Sequence, residues 1–135
     1  FFVPAIMAMG GNTGIQTSTV TVRGLATGDL QSGDLLGVIF RELRIALVMG
    51  LILGGIVFAV NQVWTGALLV GGCAGLAMVG AIVFSAGLGA TIPLAFRAVG
   101  VDPAVASGPL ITTLNDALSL GIYFAVATQL LRVWG

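Results

Sequence analysis

Apolar residues occur in four long stretches along the chain, and short polar segments separate them. The stretches cover about residues 4–26, 35–60, 66–96 and 103–133. A helix needs about 20 mostly apolar residues to cross the hydrocarbon layer of a membrane, and each stretch is long enough. The pattern therefore predicts an all-α, polytopic membrane helix bundle with four spans, which occupies residues 1–135 as one transmembrane domain.

Turn residues mark the ends of the first two spans. Gly28 and Asp29 follow the first span, and both residue types favour turns. Asn61 and Gln62 are expected to connect the second span to the third. Trp64 follows them at a position where an interfacial aromatic residue is expected.

Prolines shape the other two spans. Pro93 is expected to interrupt the third span. Asp102 followed by Pro103 is typical of a helix N-cap and first turn, so the fourth helix is expected to begin there. Pro109 would then lie inside that helix, where its missing N–H leaves the carbonyl of Val105 free.

Composition restricts the class of protein. Hydrophobic residues make up 58% of the chain and charged residues 7%, whereas soluble domains carry about 25% charged residues. This difference argues strongly against a cytosolic enzyme. The chain has no histidine, no pairing of a nucleophile with a base, and no Walker-type loop, so no catalytic role is predicted. It also lacks the basic run that nucleic-acid binding requires.

Charged residues predict the orientation, because positively charged loops stay in the cytoplasm. Four arginines fall at one face of the predicted bundle and only Arg132 at the other. The first face is therefore predicted to be cytoplasmic. Glu42 lies among these charges, in a turn expected at the lipid headgroups or lining a polar vestibule. The four arginines are Arg23, Arg41, Arg44 and Arg97.

Asp116 is the clearest candidate for a functional residue. It lies thirteen residues beyond Pro103, which is about 20 Å along a continuous helix. A charge at this depth costs roughly 2.5–3.5 kcal/mol, and no arginine lies within two turns of it. Every other acidic residue is expected near a helix end. We therefore predict a functional carboxylate rather than a structural one.

Two polar stripes support this prediction. Thr112, Asp116, Ser119 and Tyr123 share one face of the fourth span, and residues of the first span repeat the same spacing. Two stripes at matching depth predict a shared aqueous path. The alternative is hydrogen bonding between helices, which is favoured for Thr19, Ser119 and Thr113 taken singly. The stripe of the first span consists of Asn12, Gln16, Thr19 and Arg23.

The candidate ligands are all oxygen atoms. Gly10, Gly11 and Gly14 surround Asn12 and allow backbone carbonyl groups to approach a ligand closely. Carboxylate, amide and carbonyl oxygens favour hard cations such as Mg²⁺, Ca²⁺ or Mn²⁺. One carboxylate per chain suits Mg²⁺, which keeps several waters. Two chains related by a twofold axis would pair their Asp116 side chains around one hydrated ion.

Glycines spaced four residues apart allow helix backbones to approach each other closely. Such pairs pack helices either within one subunit or at a dimer seam, and the spacing does not distinguish these two uses. The pairs are Gly50 and Gly54, Gly71 and Gly75, and Gly24 and Gly28.

Two strings carry a family resemblance: PAIMAMGGNTGIQTSTVTVRGLATGDL (residues 4–30) and DPAVASGPLITTLNDALSLGIYF (residues 102–124). Together they resemble the transmembrane domain of the MgtE family of magnesium channels, and the similarity covers nearly the whole chain. The resemblance implies a homodimer with five helices per subunit. Its pore would be formed by the second and fifth helices, which are the first and fourth spans here.

The resemblance also implies roles for particular residues. Asp116 matches the aspartate that holds a hydrated Mg²⁺ in the family. Gly10, Gly11 and Asn12 match residues that line the pore beside it, as does Pro4, and backbone oxygens near Thr112 are a looser match. Mg²⁺ is thus the expected transported ion, and Mn²⁺, Ca²⁺ and Co²⁺ remain open.

The resemblance implies a multi-pass protein of the bacterial inner membrane whose partners are lipid and a second copy. The family's first helix and its cytosolic N and CBS domains have no counterpart in these 135 residues. We expect them in a missing part of the same chain. The two halves of the sequence show no convincing inverted repeat, a feature typical of carriers that work by alternating access. A channel is therefore favoured over a carrier. The alternatives are a proton- or sodium-coupled divalent cation transporter and a structural membrane subunit.

Overall fold

Four long helices form the protein, as seen in a computed structural model that describes residues 2–30, 35–106 and 108–134. The helices are α1 (Val3–Thr27), α2 (Leu35–Thr65), α3 (Leu68–Ala98) and α4 (Pro109–Trp134). A short 3₁₀ turn, Pro103–Ala106, precedes α4. The predicted all-α class is therefore confirmed.

Helix α3 lies at the centre of the bundle and packs against α1, α2 and α4. Its buried face is rich in alanine, which lets the neighbouring helices come close. Ile6 of α1 and Ala46 of α2 complete the core against it. The core residues from α3 are Ala77, Met78, Ala81, Ile82 and Ala86.

Paired glycines bring α2 and α3 into backbone contact. A Cβ atom placed on Gly54 would lie 2.7 Å from the carbonyl oxygen of Gly75, and one on Gly75 would lie 2.9 Å from that of Gly54. These two glycines therefore pack helices within one subunit. Gly24 and Gly28 instead lie at the C-terminal end of α1. Gly28 is the C-cap, with a φ of 78°. The N–H of Leu30 donates to Gly24 O at 3.1 Å, which closes the last turn.

The predicted connection at Asn61 and Gln62 is wrong, because α2 continues to Thr65. Asn61 is fully buried, and its Nδ2 donates to Ala67 O at 2.9 Å while its Oδ1 accepts from Thr65 Oγ1 at 3.1 Å. The asparagine thus closes the end of α2, and the chain turns at Gly66 with a φ of 65°.

The predicted interruption at Pro93 is also wrong, because α3 continues through this residue to Ala98. Proline removes a single backbone donor from a helix. Pro93 is buried, with the buried Gly89 one turn before it. The chain therefore keeps helical geometry across the proline.

Helix α4 begins six residues later than predicted. Asp102 Oδ1 accepts from the N–H of Ala104 at 2.9 Å, so the predicted cap exists, but it closes only the 3₁₀ turn. Gly108 then has a φ of 69°, which breaks the helical path. Pro109 is the first residue of α4, and the prediction that it frees the carbonyl of Val105 from inside a helix is wrong.

Three helical segments in the described part of the chain are long and apolar enough to cross a membrane: Leu36–Thr65, Leu68–Ala98 and Pro103–Leu130. The first predicted span corresponds to α1, which is not among them. This helix carries Asn12, Gln16 and several threonines, so its mean hydropathy is lower. The prediction of four spans is therefore supported only for α2, α3 and the segment containing α4.

Two adjacent glycines of α2 test the packing of α2 against α3. We expect Gly54→Ala to destabilise the protein by about 1–3 kcal/mol, since its methyl group would overlap the backbone of α3. Gly55→Ala is the matched control, because no atom lies within 4 Å of the added Cβ and alanine favours helix. Thermal denaturation in detergent measures both, and equal stability of the two variants would contradict this packing.

Candidate functional site

Two glycines of α1 let polar side chains of α4 contact the backbone of α1. A Cβ on Gly10 would lie 2.6 Å from Ser119 Oγ and 3.1 Å from Ser85 Oγ of α3. One on Gly14 would overlap the side-chain amide of Asn115. The first and last helices can therefore meet only because these two positions lack side chains.

Asp116 lies at the edge of this contact. It is half-buried, and its Oδ1 is 3.9 Å from where a Cβ of Gly11 would be. The one ion pair in the described part of the chain joins Arg41 to Glu42, so no described arginine neutralises Asp116. The structure thus brings together the predicted carboxylate and the predicted double glycine.

The depth of Asp116 differs from the prediction. Because α4 begins at Pro109, Asp116 lies seven residues, or about 10 Å, into its helix. Glu42 lies equally far from the start of α2 at Leu35. The expectation that every other acid lies near a helix end is therefore wrong for Glu42, which is only 9% exposed.

The polar stripe of α1 faces outward from the single chain. Asn12, Gln16 and Thr19 are exposed, and together with Ile15 and Val20 they line a groove of about 420 Å³. The lining comes from α1 alone. Asp116 is not among the residues that line this groove.

The stripe of α4 is divided between two environments. Ser119 is buried against α1 and α3. Tyr123 packs against the apolar core and stands edge-to-face with Phe124, with ring centroids 5.8 Å apart. Thr112 is half-buried, and its Oγ1 donates to Gly108 O at 3.1 Å. Of the predicted stripe, only Ser119 is buried. Thr112, Asp116 and Tyr123 are partly exposed, and Thr112 donates its hydroxyl group locally.

Several threonines bond their own helix rather than a neighbouring one. Thr19 donates to Ile15 O and Thr113 to Pro109 O, both at 2.8 Å. The expected hydrogen bonds between helices are therefore wrong for these two residues. Ser18 makes such a link instead, since its Oγ donates to Ala106 O at 3.3 Å.

Asn115 is a site residue that the sequence pattern did not predict. This residue is 1% exposed, and its Nδ2 lies 3.5 Å from Gly10 O, within reach of a long hydrogen bond. A signal was present, because Gly10 and Gly14 are four residues apart and such pairs allow close helix packing. Asn115 therefore joins α4 to α1 immediately beside Asp116.

The contact between α1 and α4 offers oxygen atoms only, the type of ligand that hard cations prefer. Its donors are one carboxylate and backbone or amide oxygens, and no group of three acidic, histidine or cysteine side chains converges in the described residues. Such a set cannot replace the whole hydration shell of a divalent ion. It suits an ion such as Mg²⁺, which keeps several waters.

A pair of substitutions tests the contact between Gly14 and Asn115. We expect Gly14→Ala to lower stability by about 1–3 kcal/mol, because the methyl group would overlap the amide. Combining it with Asn115→Ala removes that overlap and should cost less than the sum of the single changes. A double-mutant cycle of thermal stability measures the coupling, and strict additivity would contradict the contact. Gly11→Ala is the control, with its nearest atom at 3.9 Å.

Comparison with known proteins identifies the family of this chain. The family model MgtE, described as a divalent cation transporter, matches residues 3–126. The chain is 38% identical over 132 residues to the magnesium transporter MgtE of Bacillus subtilis. It is 40% identical over 132 residues to the magnesium transporter MgtE of Thermus thermophilus.

A third relative, the magnesium transporter MgtE of Enterococcus faecalis, is 39% identical over 131 residues. The three alignments cover 97–98% of this chain and 29% of each relative. The chain thus spans less than a third of the length of the relatives it matches. By its family match and these identities, the chain belongs to the MgtE family of divalent cation transporters.

Proposed function

We propose that this chain forms the pore of a channel that conducts Mg²⁺ across the membrane as a homodimer. In this proposal, the Asp116 side chains of two subunits face each other across a twofold axis and hold one hydrated ion. Mg²⁺ is the proposed cargo because the relatives are named magnesium transporters and because the site offers oxygen ligands only.

One observation carries the proposal: polar groups remain uncovered at the outer face of α1 and at the edge of α4. Asn12, Gln16 and Thr19 are exposed, and Asp116 has no ion-pair partner among the described residues. Polar groups facing lipid are costly. A second copy placed against this face would enclose them in a protein-lined, water-filled path, where they are stabilised.

The lower hydropathy of α1 supports the same arrangement. A helix that faces lipid on all sides must be apolar around its circumference, whereas a helix that lines a wet path carries a polar face. We therefore propose that α1 also crosses the membrane, which gives this chain four spans in all. Gly10 and Gly11 would line the path beside Asp116, together with Asn12 and backbone oxygens near Thr112.

The twofold arrangement also explains how a lone carboxylate per chain could select a dication. Two aspartates near one axis repel each other, and a divalent ion between them removes this repulsion. Water molecules retained by Mg²⁺ would bridge the ion to both carboxylates and to nearby carbonyl groups. A monovalent ion would neutralise only one of the two charges.

Replacement of Asp116 tests the proposal. Asp116→Asn keeps the shape of the side chain and removes its charge, so we expect Mg²⁺ flux into liposomes to fall by more than about tenfold, with the dimer intact by size-exclusion chromatography. Asp29→Asn is the control, because Asp29 is exposed beyond the end of α1. Normal flux through the Asp116→Asn variant would contradict the proposal and indicate that this aspartate has a structural role.

Flux under controlled gradients distinguishes a channel from a coupled carrier. We expect a current that reverses with the Mg²⁺ gradient and is unaffected by pH or Na⁺. Dependence of the reversal potential on either ion would instead support proton- or sodium-coupled transport.

Asn12 tests the selectivity of the proposed path. Its exposed amide makes no hydrogen bond described in the single chain, so Asn12→Ala should change the preference for Mg²⁺ over Ca²⁺ more than it changes stability. Competition flux assays and thermal denaturation measure the two effects. Unchanged selectivity would contradict a pore-lining position.

A further inference from the structure

Two arginines on the outer surface of α2 take no part in the proposed ion path. Arg41 and Arg44 are exposed and lie three residues apart, so they are neighbours on one face of the helix. Arg41 Nη2 lies 3.3 Å from Glu42 Oε1, but water screens this pair because the Arg41 side chain is 60% exposed. Arg44 has no ion pair among the described residues. This surface therefore keeps positive charge available for a ligand.

The two arginines form the polar end of a groove of about 510 Å³, which we call the outer groove of α2. Ile45, Val48 and Met49 make the rest of its lining, and all three are exposed. The five lining residues follow the spacing of one helix face. The groove thus has charged donors at one end and apolar side chains toward the middle of the helix.

The position of Trp64 indicates the depth of the outer groove in the membrane. Helix α2 is continuous from Leu35 to Thr65, and the exposed Trp64 lies near its end, where an interfacial aromatic residue is expected. Arg44 lies twenty residues before it. This separation is about 30 Å along a helix, which equals the thickness of the hydrocarbon core. Arg44 therefore lies at the opposite boundary, with Arg41 one turn farther out among the headgroups.

The apolar part of the groove extends into the adjacent leaflet. The hydrocarbon of one leaflet is about 15 Å thick, half of the core, and about ten residues of helix cross it. Val48 and Met49 lie within this distance of Arg44, and the exposed Ile52 continues the same face. A lipid whose phosphate contacts the arginines would therefore lay its acyl chains along these side chains.

An anionic phospholipid fits this combination of groups. The paired N–H donors of a guanidinium group match the geometry of a phosphate, and basic pockets on the cytoplasmic side of membrane helices bind acidic headgroups. Four of the five arginines predict that this face is cytoplasmic. A zwitterionic headgroup carries its own cation, which the arginines repel. A free phosphate ion would leave the apolar lining uncovered.

We propose that the outer groove of α2 binds one anionic phospholipid per chain, with its phosphate held by Arg41 and Arg44. Glu42 instead lines the gap between α1 and α2, so the lining of the outer groove contains no acidic residue. Binding of the lipid requires neither Mg²⁺ nor Asp116. The proposal therefore stands or fails separately from the proposed function.

Lipid titration of the intact protein tests the site. Delipidated protein in neutral detergent is titrated with phosphatidylglycerol, and bound lipids are counted by native mass spectrometry. We expect Arg41→Gln combined with Arg44→Gln to weaken the binding of one phosphatidylglycerol per chain by about tenfold or more, because two charges are lost. Arg97→Gln is the matched control, since this exposed arginine lies at the same predicted face but lines a different groove. It should change the affinity by less than about twofold.

A single substitution keeps the test valid if loss of Arg41 disturbs the buried Glu42. Arg44→Gln breaks no ion pair of the described residues and should weaken phosphatidylglycerol binding about fivefold. Arg44→Lys keeps the charge and should weaken binding less, since only the paired donors are lost. Equal affinities of the parent and the Arg44→Gln variant would overturn the proposal.

Competing ligands identify the occupant of the groove. Inorganic phosphate and glycerol 3-phosphate carry the charge without acyl chains, so at the concentration of the lipid we expect them to leave phosphatidylglycerol bound. Displacement by either would assign the groove to a free phosphate ion and overturn the proposal. Equal affinity for phosphatidylcholine would also overturn it. Parent protein that binds no phosphatidylglycerol would indicate that another part of the assembled protein covers the groove, with the same consequence.

Discussion

The arrangement of the site depends on one contact, the packing of polar α4 side chains against the bare backbone of α1. Gly10 and Gly14 leave room for Ser119 and Asn115, and side chains at either glycine would push the helices apart. This contact places Asp116 beside Gly11. The position of the charged group thus follows from glycine packing rather than from an ion pair, so the carboxylate remains available to a ligand.

The same packing leaves a polar surface uncovered. Helix α3 occupies the centre of the bundle, so the outer face of α1 has no partner within the described part of the chain, and Asn12 and Gln16 remain exposed. On the other side of α1, the gap to α2 contains Glu42 and two buried threonines. Helix α1 therefore stands between two grooves that contain polar residues, and the proposed path uses its outer face.

The sequence predicted the helical class, because hydrophobic stretches depend only on local spacing. The family resemblance implied that Gly10 and Gly11 lie beside Asp116, and the structure places Gly11 next to this carboxylate. The sequence did not predict where α4 begins. Asp102 and Pro103 are typical of a helix start, but the positive φ of Gly108 breaks the helix before Pro109. Nor did it predict the burial of Ser119 or the inward position of Glu42. Spacing defines the direction of a side chain around its helix, but only the neighbouring helices decide what that direction faces.

In the proposed assembly, the Asp116 side chains of two subunits share one ion. Crystals of the intact protein grown with Mn²⁺ would show the ion directly by anomalous scattering. We expect a peak on a twofold axis between two subunits, about 4 Å from a carboxylate oxygen of each Asp116, as for contact through one water. Asp116 facing lipid, or paired with an arginine away from the axis, would contradict it.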